Sequence, residues 1–145
     1  MSKVLVLYDT RTGNTGRMAR AVADGAKLVQ GTEVVLKKVG EGSGELAAAD
    51  AIVLGSPTHN TQPSRAMRSF LSSLGNIPLQ GKVGGAFGSY GWSGEAPEII
   101  AQALRNQGVQ VIGEAVRARK TPGTSDLSKC RDLGRAVAES VVTAE

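Results

Sequence analysis

The chain has 145 residues, 41% of them hydrophobic and 3% aromatic, and 17 Lys and Arg against 13 Asp and Glu give a formal net charge of +4. That is the size of one domain with one core, and residues 1–145 are read as such. No run approaches the roughly 18 uninterrupted apolar residues of a membrane span, and scattered basic residues with so few aromatics exclude a base-stacking nucleic-acid binder.

The first predicted element is the apolar strand Val4–Tyr8. No charged, apolar and small-residue leader precedes it, so a cytoplasmic protein is expected. The loop Asp9-Thr10-Arg11-Thr12-Gly13-Asn14-Thr15 follows and enters a helix over Asn14–Val29, with Met18, Val22, Ala26 and Val29 on one face. This loop gathers backbone N–H groups and three threonine hydroxyls at the positive end of the helix dipole, which makes an anion pocket of phosphate size. It has neither the lysine and spacing of a nucleoside-triphosphate loop nor G-x-G-x-x-G. A phosphate monoester held by neutral donors fits it, with Arg11 adding one cation. Asn14 and the threonines are also good helix caps, so the loop alone is weak evidence.

Thr32–Val39 reads as the second strand, Gly40–Gly44 as a flexible loop and Glu45–Ala49 as a short helical piece. The buried strand Ala51–Leu54 ends at Gly55 and runs into Ser56-Pro57-Thr58-His59-Asn60-Thr61-Gln62-Pro63. Asn60 tolerates positive φ, so a turn there can rotate a peptide at low cost. Ser64–Leu74 reads as a helix with Met67, Phe70, Leu71 and Leu74 at core spacing, and Lys82–Phe87 as the fourth strand. Gly88-Ser89-Tyr90-Gly91-Trp92-Ser93-Gly94-Glu95 then places the only tryptophan in a glycine-rich loop, where an indole stacks on a ligand rather than packing in a core. Ala96–Asn106 is predicted helical, Val109–Val116 is the fifth strand, and a helix from Leu127 to about Val142 ends the pattern, with Cys130 as a small buried thiol. Strands alternating with helices argue for a parallel sheet covered on both faces.

The three loops after strands one, three and four resemble those of flavodoxins. Ser-Pro-Thr-x-Asn, Phe-Gly-Ser-Tyr-Gly-Trp-Ser-Gly-Glu-Ala and Asp-Leu-Ser-Lys-Cys-Arg-Asp-Leu-Gly are similar to the flavodoxin domain of A-type flavo-diiron proteins. With His59 the only histidine and no His/Asp/Glu cluster, no di-iron or other metal site is expected. The resemblance implies a short-chain, doubly wound α/β/α fold with five parallel strands in the order 2-1-3-4-5, binding FMN non-covalently. It implies a low-potential carrier of single electrons rather than an enzyme. The alternative is an FMN-dependent NAD(P)H:quinone oxidoreductase of the same fold, whose relatives carry an insertion not seen in this sequence.

Carried over residue by residue, Thr10, Arg11, Thr12, Gly13, Asn14 and Thr15 would hold the FMN phosphate. Pro57, Thr58, His59, Asn60 and Thr61 would form the inner wall, with the Asn60 carbonyl turning toward flavin N5 in the semiquinone. Ser89, Tyr90, Gly91, Trp92 and Gly94 would form the outer wall. Departures from the family pattern are the basic net charge and His59 where an apolar residue is common. The expected partners are redox proteins, a flavin reductase or iron–sulfur donor and an acceptor enzyme. Arg11, Arg65 and Arg68 are expected to form a positive rim for an acidic docking patch of the partner, on a protein expected to be a monomer.

Overall fold

The strands are apolar along their whole length because both faces of the sheet are covered. In the computed structural model, which describes residues 1–144, β1 (Ser2–Tyr8) is the centre of the pattern. Val4 and Val6 point into one layer, with α1 (Asn14–Lys27) and α5 (Thr124–Ala144). Leu5 and Leu7 point into the other, with α3 (Arg65–Ser72) and α4 (Ala96–Asn106). β3 (Ala51–Gly55) repeats the alternation, Ala51 and Val53 to one side and Ile52 and Leu54 to the other. These residues have no solvent exposure, and truncating one such leucine to alanine costs about 2–5 kcal/mol.

β2 (Thr32–Lys38), β1, β3 and β6 (Val83–Tyr90) lie side by side in that order, all parallel. The fifth position is shared by two pieces, β7 (Gln110–Val111) and β8 (Val116–Arg119), both paired with β6. The order 2-1-3-4-5 follows, with helices on both faces. β4 (Thr58–His59) and β5 (Gln62–Pro63) form a small antiparallel hairpin beyond the end of β3.

α1 and α5 meet backbone to backbone. A Cβ on Gly25 would stand 1.9 Å from the Arg131 carbonyl oxygen, and one on Gly134 would stand 1.9 Å from that of Val22. Only glycine permits this approach, which seats the second half of α1 against α5.

Four sequence expectations are corrected. Residues 40–44 are not a free loop: α2 (Val39–Gly42) and a 3-10 turn (Ser43–Glu45) form there, and of the helical piece expected over Glu45–Ala49 only Glu45 is helical, as the end of that 3-10 turn, with residues 46–48 a turn. Buried Val39 and Leu46 anchor the segment at both sides, and tertiary packing overrides the low helix propensity of its glycines. The fourth strand runs on to Tyr90, because Phe87–Tyr90 pair with Val116–Arg119. The fifth strand is interrupted: residues 112–115 span what Gly85 and Ala86 span on β6, so the extra residues bulge out, with Gly113 at φ 65°. No helix among the described residues is long and apolar enough to cross a membrane.

Candidate functional site

The loop after β1 is organised by one hydroxyl. Thr10 Oγ1 accepts from the N–H groups of Gly13 (3.1 Å) and Gly16 (3.2 Å), capping α1 from outside the helix. Gly13 stands at φ 92°, a conformation that L side chains resist, and turns the chain into the helix. The N–H groups of Thr12, Asn14 and Thr15 meet no acceptor among the described residues. They open at the positive end of a 14-residue helix, a donor set suited to an anion. The Thr15 hydroxyl is buried and lies 2.7 Å from the Ser89 hydroxyl at the end of β6, tying this loop to the fourth strand.

The second wall follows β3. Ser56 Oγ donates to the Pro57 carbonyl (2.8 Å) and accepts from the Ser64 N–H (2.9 Å), closing the base of the β4–β5 hairpin. At its tip Asn60 (φ 50°) and Thr61 (φ 65°) are both left-handed, and Thr61 Oγ1 donates to the Asn60 carbonyl (2.5 Å). Positive φ at a β-branched residue is a true outlier, costing about 1–3 kcal/mol. Thr58 Oγ1 accepts from the Ala96 N–H (3.0 Å), joining the hairpin to the start of α4.

Between these walls lies an open cavity of about 260 Å³, lined by Thr10, Arg11, Thr12, Asn14, Thr15, Pro57, Thr58, His59, Ser89, Tyr90, Gly91 and Lys120. Eleven of the twelve were expected from the sequence. Gly13, Asn60, Thr61, Trp92 and Gly94, also expected, stand outside the lining. Gly13 shapes the phosphate-sized loop, Asn60 and Thr61 form the hairpin tip, and the Trp92 ring is 96% exposed at the rim. Tyr90 is the last residue of β6 rather than part of a loop. Lys120 was missed. Its signal was the basic stretch Arg117-Ala118-Arg119-Lys120 at the carboxyl end of the fifth strand, where open parallel sheets bind ligands.

Arg11, Arg65 and Arg68 are all exposed. Cys130 is no part of the site: it lies buried on α5 in the core layer that holds α1, and burial, helped by Asp126, pushes its thiol up to about 12. No group of His, Cys, Asp and Glu among the described residues could hold a metal ion.

Known proteins share this arrangement. The Flavodoxin family profile matches residues 6–134. A flavodoxin of Aquifex aeolicus is 40% identical over 97% of this chain and 88% of its own. The type A flavoprotein fprA of Rhodobacter capsulatus is 34% identical over 94% of this chain, which spans 32% of that longer protein. Among solved structures, a flavodoxin from the domain Archaea superposes with a TM-score of 0.90 at 37% identity, covering 97% of this chain and 99% of its own.

Proposed function

The chain belongs to the flavodoxin family of flavin-binding electron carriers, and from that premise we propose that it passes single electrons at low potential between protein partners through non-covalently held FMN. One observation carries this reading: a loop with open N–H donors and hydroxyls forms one end of the same cavity whose other walls are Pro57–His59 and Tyr90–Gly91. The residues present therefore fit a phosphorylated planar ring. FMN supplies the electron-accepting ring, and the protein supplies binding, orientation and electrostatics.

Thr10 keeps the loop in shape, while Thr12, Asn14 and Thr15 direct their N–H groups to the phosphate. Thr58 and His59 support the inner face of the ring, and Tyr90 and Gly91 the outer face. Trp92 stands ready at the rim to cover the ring from outside. The Asn60–Thr61 peptide is the element that turns: both residues already sit at positive φ, which lowers the advantage of the present arrangement over a rotated one. Exposed Arg11, Arg65 and Arg68 form the rim on which an acidic surface of a redox partner docks.

Potentiometric titration of the FMN-loaded protein tests the proposal. Two separated one-electron waves are expected, with no oxidation of NADPH by added quinone. A single two-electron wave with rapid NADPH–quinone turnover would replace the carrier by a quinone reductase.

A further inference from the structure

Lys120 follows the end of β8 and lines the same cavity as Arg11. Along β8 the side chains alternate, Val116 and Ala118 buried, Arg117 and Arg119 exposed. Extended backbone would carry the next side chain inward again. Instead Lys120 sits at φ 56°, a conformation rare outside glycine, and its side chain is exposed at the cavity. Its N–H donates to the Tyr90 carbonyl at 2.6 Å, which fixes where the side chain begins.

That position opens on the same cavity as the anion loop, with β6 as the link between them. The Thr15 and Ser89 hydroxyls are 2.7 Å apart, Tyr90 is the next residue of the same strand, and its carbonyl holds Lys120. Arg17, also near the loop, is engaged by Asn14 Oδ1 at 2.5 Å. The ammonium of Lys120 has no hydrogen-bond or ion-pair partner among the described residues, and no carboxylate lines the cavity to compete for it.

We propose that Lys120 is the counter-charge for the phosphate dianion seated on the Thr10–Thr15 loop, so that the site selects a phosphorylated flavin by charge as well as by neutral donors. This rests on the flavin reading above. A lysine suits the role as a compact, mobile point charge on a long stem, able to meet a phosphate oxygen that the backbone donors leave facing solvent.

The test titrates apoprotein with FMN and with riboflavin, following quenching of flavin fluorescence, for the native chain, Lys120→Met and Lys120→Arg. Lys120→Met should weaken FMN by about tenfold or more, the usual worth of a charge-assisted hydrogen bond, and leave riboflavin unchanged. Lys120→Arg should recover most of the loss. FMN affinity should also rise in the native chain between about pH 5 and 7, as the phosphate loses its second proton near pH 6, and rise less in Lys120→Met. Unchanged FMN affinity overturns the proposal, and so does an equal loss for both flavins, which would assign the lysine to the ring or the fold. If the native chain binds neither flavin, the underlying reading falls with it; tight FMN binding that ignores Lys120→Met removes the lysine alone.

Discussion

The two ends of the sheet are finished in opposite ways. At the amino ends of the strands the charged groups meet partners within the chain. The Lys3 N–H donates to Asp50 Oδ2 (2.8 Å), the Asp50 N–H donates to the Lys3 carbonyl (2.9 Å), and the Lys3 ammonium lies 3.2 Å from Glu45. Lys82 Nζ donates to the carbonyls of Ala47 and Ala49. At the carboxyl ends, Arg11 and Lys120 face a cavity with no carboxylate, and the N–H groups of Thr12, Asn14 and Thr15 stay open. All the non-glycine residues with positive φ among the described residues, Asn60, Thr61 and Lys120, are at this end. Strained backbone persists only where the surroundings over-determine it. A closed end and a packed interior provide that constraint, and the open end keeps its donors and cations for a ligand.

The strongest way to break this comparison is to remove donors from the open end. Thr12→Ala with Thr15→Ala, which keeps the backbone N–H groups and removes both side-chain hydroxyl donors, should cost about 3–6 kcal/mol of FMN affinity, taking about 1.5–3 kcal/mol for each hydroxyl bond to a charged group. Riboflavin affinity should change little, and fluorescence titration with both ligands reads the difference. Equal affinity of the native chain for FMN and riboflavin would remove the phosphate assignment.

The interior between the two ends offers a second test. An unfolded thiol loses its proton near its ordinary value of about 8.5, whereas folding pushes that of Cys130 up to about 12. Above pH 9 the unfolded chain therefore binds fewer protons than the folded one, and stability falls as pH rises. The contribution reaches about 1.4 kcal/mol per pH unit between these limits. Urea unfolding at pH 8 to 10.5 should show a shallower decline for Cys130→Ala than for the native chain; parallel curves would mean that the thiol is not held protonated.

The smallest effect belongs to the closed end. Asp50→Ala leaves the Lys3 N–H without its carboxylate and should lower stability by about 1–2 kcal/mol in urea unfolding. FMN affinity should stay the same, because the mutation lies across the sheet from the cavity. A coupled loss of affinity would show that the two ends are not independent.

Part of this site was written locally. The residue types of Thr10 to Thr15 suit an anion loop and a helix cap equally, and it is the company of Pro57, Thr58, His59, Tyr90 and Gly91 in one cavity lining that favours the former. Lys120 stands outside the loops rich in glycine and hydroxyls, and in sequence a lysine after a strand looks like ordinary surface. What brings it to the cavity is its positive φ and its bond to Tyr90, neither of which a lysine signals.

The sequence by itself determined which segments are buried on two faces and which on one. Apolar runs such as Val4–Tyr8 and Ala51–Leu54, and the 3.6-residue spacing of Ala96–Asn106, carry that information within a few turns of chain. Only the tertiary structure decided where pairing stops: β6 reaches Tyr90 because β8 lies beside it, and the fifth strand breaks because its residues outnumber those they must match. It also decided that Thr15 meets Ser89, 74 residues away, and that Val39–Gly42 coils between two buried anchors despite its glycines. Burial is a property of each side chain and leaves a periodic trace. Pairing and contact are properties of two distant segments at once, and they exist only when the packed core has fixed both.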